Sequence, residues 1–196
     1  MGDEQLSEIL TIDTGASLPK TPDITPLPVY DENHPMLRQR IPEHKGPIPS
    51  PLISNLVGRL KMTLKLYGAI GLSANQCGVF ERVFVIGTDQ FQISCINPRI
   101  VRSSAEMNKS DEGCLTFPGL YVKLDRPEWI EVEFTDDTGK LVQMRLEGLT
   151  ARCFQHELDH MNGIRFIDNI KPIALQMARK KQQKIMKQAI RNQKKK

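Results

Sequence analysis

The segment His156-Glu157-Leu158-Asp159-His160 sets two imidazoles four residues apart, with a carboxylate directly after the first. On an α-helix, residues four apart share a face with Cβ atoms about 6 Å apart, so both rings can reach one metal ion. Glu157, one step round, can contact a metal-bound water and act on its proton. Chance surface histidines explain this poorly, because only four His occur in the chain and two fall here, among Phe154, Leu158 and Met161. The spacing predicts a divalent metal site that does chemistry.

Two imidazoles need at least one further ligand if a tetrahedral site is to keep a position for water. Downstream sequence offers none: Phe166 stands where the metzincin pattern has its third His, and no Asp or Glu follows Asp168. Upstream, His34 and His44 lie among prolines, a poor platform for a rigid site. Cys114 lies in Glu112-Gly113-Cys114-Leu115-Thr116, between segments that read as sheet. Alone, Cys114 reads as a small buried thiol; joined to the histidine pair, it becomes the expected third ligand, and a thiolate with two imidazoles suits zinc or ferrous iron. Cys153 reads as core or pocket lining, and Gln155 as a partner of local polar groups. Asp159 reads equally as an orienter of a ligand histidine and as the partner of a basic side chain.

Elements must hold these residues. Ser50 as N-cap, Pro51 in the first turn, apolar Leu52, Ile53, Leu56, Val57, Leu60 and Leu64, and Gly68 as the stop predict a helix over 51–67. Residues 82–86 and 91–96 read as short strands ended by Gly87 and Pro98. Residues 129–134 and 140–146 alternate around the turn formers of 136–139, the mark of a hairpin with one wet face. A second helix is expected over 150–162, closed by Gly163, and a basic amphipathic third from about Pro172. Residues 1–49 carry eight prolines and read as an arm, extended around a domain or partly disordered. The fold class expected is α+β: antiparallel sheets packed around a central helix that carries the His-Glu-x-x-His motif.

With 196 residues, 39% of them apolar, the chain suits one domain. A domain of this size buries roughly 70% of its unfolded surface and needs no disulfide or structural metal to stand. No run of about 18 apolar residues exists, so no membrane span is expected. The acidic first thirty residues lack the apolar run of a secretory signal, which points to a cytoplasmic chain with reduced cysteines. Nine basic and no acidic residues lie between Arg179 and Lys196, leaving 18 basic against 23 acidic upstream. Such a tail can touch the phosphates of RNA or serve as a solvated extension; lacking Trp and Phe, it makes a poor membrane-surface helix.

Three segments in this order, Gly71-Leu72-Ser73-Ala74-Asn75-Gln76, Glu112-Gly113-Cys114-Leu115-Thr116 and Gln155-His156-Glu157-Leu158-Asp159-His160, resemble the signature motifs of the peptide deformylase family, enzymes that remove the formyl group from the N-terminal methionine of new bacterial-type proteins. The resemblance runs from about Asn33 to Ala178. It departs from the usual pattern where Ala69 replaces Gly, Ser73 replaces Ala, Asn75 stands where Pro is common, and Thr116 replaces Ser. The domains implied are an arm over 1–32, a catalytic domain over 33–178 and a basic helical tail over 179–196.

What the resemblance implies is specific. Cys114, His156 and His160 would hold one divalent metal, ferrous iron being the expected native ion, with zinc, nickel or cobalt able to substitute. Glu157 would be the general base and then the general acid. The Gln76 side-chain amide and the Leu115 backbone N–H would stabilise the oxyanion. Ile70 and Gly71, with Gly113 opposite, would bind the extended peptide, and Leu72 and Phe154 are candidates for the methionine pocket. The partners implied are N-formylmethionyl nascent peptides and, through the C-terminal helix, the ribosome, with no DNA or membrane partner. The enzyme is expected to be a monomer of bacterial or phage origin, working in the host cytoplasm in the latter case. Two rival readings share the motif: a zinc endopeptidase, which lacks its downstream ligand, and a catalytically silent metal-stabilised adaptor that binds ribosomes, against which Gln76, Leu115 and Glu157 argue.

Overall fold

Helix α1 (Pro51–Tyr67) begins and ends at its sequence signals. Ser50 Oγ accepts from the Ile53 N–H at 3.3 Å, Pro51 opens the first turn, and Gly68 closes the helix at φ 60°, a left-handed position that glycine takes without steric cost. Its buried stripe of Ile53, Leu56, Val57, Leu60 and Leu64 packs against Leu72, Val83, Val85 and Ile96. The computed structural model describes residues 25–88 and 90–193.

Five antiparallel strands form one sheet in the order β1 (Gly71–Ser73), β2 (Val83–Gly87), β3 (Gln92–Ser103), β6 (Trp129–Thr135), β7 (Leu141–Glu147). The remaining two, β4 (Met107–Cys114) and β5 (Phe117–Pro127), pair only with each other. The expected strand 91–96 does not stop at Pro98 but runs on to Ser103. A register shift against β6 between Ile96 and Arg99 accommodates the proline, which has no N–H to give to a ladder. The β4–β5 hairpin is longer than the sequence suggests, because most of β4 is polar and exposed and shows no alternation to read.

Helix α2 (Gly148–Met161) starts two residues before the expected position and is the buried centre of the molecule. Phe154 packs edge-on to Phe84 and against Phe134, so one face of the helix meets the five-stranded sheet. The described part of the arm wraps this body. Leu27 N–H donates to Thr63 Oγ1 at 2.7 Å, Tyr30 N–H to the Gln76 carbonyl at 2.9 Å and Ile41 N–H to the Met161 carbonyl at 2.9 Å, and Leu37 and Ile41 are fully buried. The first 24 residues of the expected arm lie outside the described residues.

Helix α3 (Pro172–Gln193) lies against β5. Gln182 Nε2 donates to the Pro118 carbonyl at 2.9 Å, and Arg179 forms an ion pair with Glu32 of the arm. Among the described residues, no helix is long and apolar enough to cross a membrane.

Candidate metal centre and active site

Four residues of α2 is slightly more than one turn, and His156 and His160 duly point the same way, their ring centroids 5.0 Å apart. Cys114, at the end of β4, faces them with Sγ 3.3 Å from His160 Nε2. One ligand atom from each of the three lies within 4.8 Å of the others, so the expected donor set does come together. The chemistry of the set fits a metal: one thiol and two imidazoles, with His156 Nδ1 3.0 Å from Glu112 Oε2, which leaves Nε2 of that ring free to ligate.

Electrostatics separate the two histidines. Burial, with the nearby positive His156, pushes the pKa of His160 well below the usual range. Burial would also lower that of His156, but hydrogen bonds to Cys114 and Glu112, with the charges of Cys114 and Glu157, raise it well above the usual range.

Glu112, two residues before Cys114, anchors the region. Its Oε1 accepts from Arg126 Nε at 2.6 Å and Arg152 Nη1 at 2.7 Å, and Arg126 Nη1 reaches on to Asp159 Oδ2 at 2.8 Å. Burial works against ionisation of Glu112, but the hydrogen bonds and positive charges of His156 and Arg126 overcome it and bring the pKa down to about 2. Of the two readings of Asp159, the structure selects pairing with a basic side chain; Glu112 is the carboxylate that touches a ligand histidine. Sequence reasoning missed Glu112, Arg126 and Arg152. Strand alternation held the signal for the first, since residues i and i+2 share a face of β4.

Glu157 is 3% exposed, its Oε2 has no protein partner, and burial pushes its pKa up to about 7 against the lowering charge of His156. Gly71 explains how strand β1 comes so close. A Cβ there would land on Glu157 Oε1 and 2.7 Å from Cys153 Sγ. Cys153 is buried, lines the cleft and donates to the Ile70 carbonyl at 3.1 Å, while Gln155 Nε2 donates to the carbonyls of Pro127 and Ala151.

Gln76 lies in a 3-10 turn, Ala74–Cys77, directly after β1. Its Nε2 lies 3.2 Å from Cys114 Sγ and 3.0 Å from Thr116 Oγ1. Leu115 occupies the two-residue turn from β4 to β5, beside Cys114. These groups open into a cleft of about 520 Å³ that Ile70, Gly71, Gly113, Cys114, Leu115, His156 and Glu157 all line. Strand β1 is an edge strand of its sheet, so its outer side is not paired within the sheet. Beside Gly113, the space a Cβ would take is filled by the Tyr121 ring at 2.7 Å.

Two expectations fail here. Leu72 and Phe154 do not line the cleft: both are fully buried, Leu72 in the core under α1 and Phe154 against the sheet. Phe154 is two residues from His156, about 200° round the helix, so when one faces the cleft the other must face away. Tyr67, Tyr121 and Leu149 supply large apolar lining instead.

An α+β fold that gathers a Cys-His-His cluster beside a buried glutamate, in a cleft edged by an open strand, defines a hydrolase built on a candidate metal site. Residues 26–176 match the Polypeptide deformylase family. The chain is 37% identical over 137 residues to a peptide deformylase of Thermotoga neapolitana, covering 70% of this chain and 84% of that protein. Among solved structures, it resembles a peptide deformylase from Legionella pneumophila with TM-score 0.77 and 32% identity, covering 85% of this chain and 99% of that one. It also resembles one from Synechococcus elongatus, crystallised with actinonin, with TM-score 0.75 and 32% identity, covering 80% and 86%. The chain belongs to the peptide deformylase family, enzymes that deformylate nascent peptides, and the endopeptidase reading falls.

Proposed function

We propose that the chain hydrolyses the formyl amide of N-terminal formyl-methionine on nascent polypeptides and releases formate, with one divalent ion, natively ferrous iron, held by Cys114, His156 and His160. When bound, such an ion supplies Lewis acidity and activates water near neutral pH. The observation that carries this reading is the meeting of the three ligand atoms within 4.8 Å beside the buried Glu157.

The side chains divide the remaining work. Glu157, with its pKa near 7, takes the proton of the attacking water and delivers it to the departing amine, a poise that suits a group that must do both. Gln76 Nε2 and the Leu115 N–H donate to the charge that develops on the formyl oxygen; one such donor contributes about 3 kcal/mol. The peptide adds as a strand along Ile70 and Gly71 at the open edge of β1, with Gly113 opposite. Its methionine enters the apolar part of the cleft near Tyr67 and Leu149.

The catalytic unit in this reading spans 33–178 and works as a cytoplasmic monomer. The exposed face of α3, with Lys180, Lys181, Lys184 and Lys187, touches ribosomal RNA. Reversal of these four charges should lower ribosome association; undiminished association would remove that element. Actinonin, the ligand of the Synechococcus elongatus relative, should inhibit this enzyme.

A formate-release assay on a formyl-methionyl peptide tests the core of the proposal. Glu157→Ala should abolish turnover while the metal stays bound. Full turnover in that variant, or no formate from the metal-loaded wild type, would refute it.

A further inference from the structure

A carboxamide has nearly the same shape both ways round but opposite hydrogen-bonding ends, so Gln76 can meet negative charge only while Nε2 faces the cleft. Thr116 Oγ1, 3.0 Å from Nε2, is a hydroxyl that accepts or donates and cannot by itself decide the orientation. The decision lies at the other end of the side chain. Ser73, the last residue of β1, is fully buried; its backbone N–H and its Oγ each lie 2.9 Å from Gln76 Oε1.

We propose that the Ser73 hydroxyl is a positioning residue for Gln76: with the Ser73 N–H it engages both lone pairs of Oε1 and turns a one-point attachment into a two-point one. A side chain held by the N–H alone can still swing about that bond. Held twice, its Nε2 stays between Cys114 and Thr116, at the edge of the cleft. Asn75 completes the arrangement. Its Nδ2 donates to the His160 carbonyl at 2.6 Å, which turns Asn75 Oδ1 toward Ser73 Oγ at 2.9 Å. The hydroxyl thus lies between two buried amide oxygens and beside the Glu157 carboxylate, and the turn that carries Gln76 is tied to the end of α2 that carries a candidate ligand.

The inference rests on Gln76 acting as an oxyanion donor, and its test separates the two. Four metal-loaded enzymes are compared on a formyl-methionyl peptide: wild type, Ser73→Ala, Gln76→Ala and the double variant, with metal content measured for each. Ser73→Ala should lower kcat about three- to tenfold, the span of one neutral hydrogen bond, and leave KM unchanged. In the Gln76→Ala background the same change should cost nothing further. The ¹⁵N side-chain amide signals of Gln76, assigned by their loss in Gln76→Ala, should exchange with solvent slowly in wild type and several-fold faster in Ser73→Ala. An equal fall in kcat in both backgrounds, or unprotected Gln76 amide protons in wild type, would overturn the role of Ser73 and leave that of Gln76 standing. An unchanged kcat in Gln76→Ala would instead overturn the oxyanion assignment itself.

Discussion

Glu112 Oε2 lies 3.0 Å from His156 Nδ1, and through this contact a β-hairpin orients a ring that belongs to a helix. Strand β4 thereby supplies both the thiol that faces the histidines and the carboxylate that aims one of them. Arg126 grips both oxygens of that carboxylate, and Arg152 donates to Oε1.

Removal of Glu112 should loosen the metal more than the fold. Glu112→Ala is expected to weaken metal affinity by about 10–100-fold, the usual effect of losing the partner of a ligand histidine. A competitive chelator titration measures it, and affinity equal to wild type would contradict the assignment.

The same carboxylate makes acid stability a readout. Its folded pKa of about 2 lies below the ordinary value of 4.5, so its contribution to stability is present in full above about pH 4.5 and is lost as pH falls toward 2. In the metal-free protein, denaturant unfolding between pH 7 and pH 3 should show this decline. Glu112→Gln should be less stable at pH 7 and flatter over the same range; parallel curves would show that the decline arises elsewhere.

Gly71 is required by a close approach, not by a turn. Gly71→Ala puts a Cβ against Glu157 Oε1 and Cys153 Sγ, and the carboxylate has to move. A misplacement on the order of 1 Å costs about 100-fold in rate, so kcat should fall by at least tenfold while metal content holds. Steady-state kinetics with elemental analysis checks this, and wild-type kcat would refute it.

Arg82 fastens the arm to the end of α2. Its buried guanidinium donates to the carbonyls of Ile41 and Met161 and to Asn162 Oδ1. Arg82→Ala takes the side-chain donor from the Ile41 carbonyl and Asn162 Oδ1, leaves the Met161 carbonyl only the Ile41 N–H, and should destabilise the protein by about 3 kcal/mol. Denaturant unfolding with an unchanged midpoint would show that the arm is held by other contacts.

The parts of the site that sequence made legible were those fixed by helical arithmetic. His156, Glu157 and His160 are set by one element with a known period, and α1 carried its caps in plain view at Ser50 and Gly68. Cys114 could be reached only by eliminating other candidates, because the two chain segments meet through tertiary packing. Glu112 stands two residues before Cys114, but nothing local in the sequence distinguishes a buried carboxylate from an exposed one. The same blindness applied to β4, where Met107, Asn108, Lys109, Ser110 and Asp111 are all exposed and look like loop. Leu72 and Phe154 show the converse: apolar character near a site does not make lining, because core packing commits Leu72 and helix angle commits Phe154 to the interior.

Arg179 meets Glu32 across 147 residues of chain, and Gln182 grips the Pro118 carbonyl across 64. The β4–β5 hairpin, whose first strand ends at Cys114, is thus braced from outside by α3, so a cut before Arg179 removes a support that the reaction centre itself never touches.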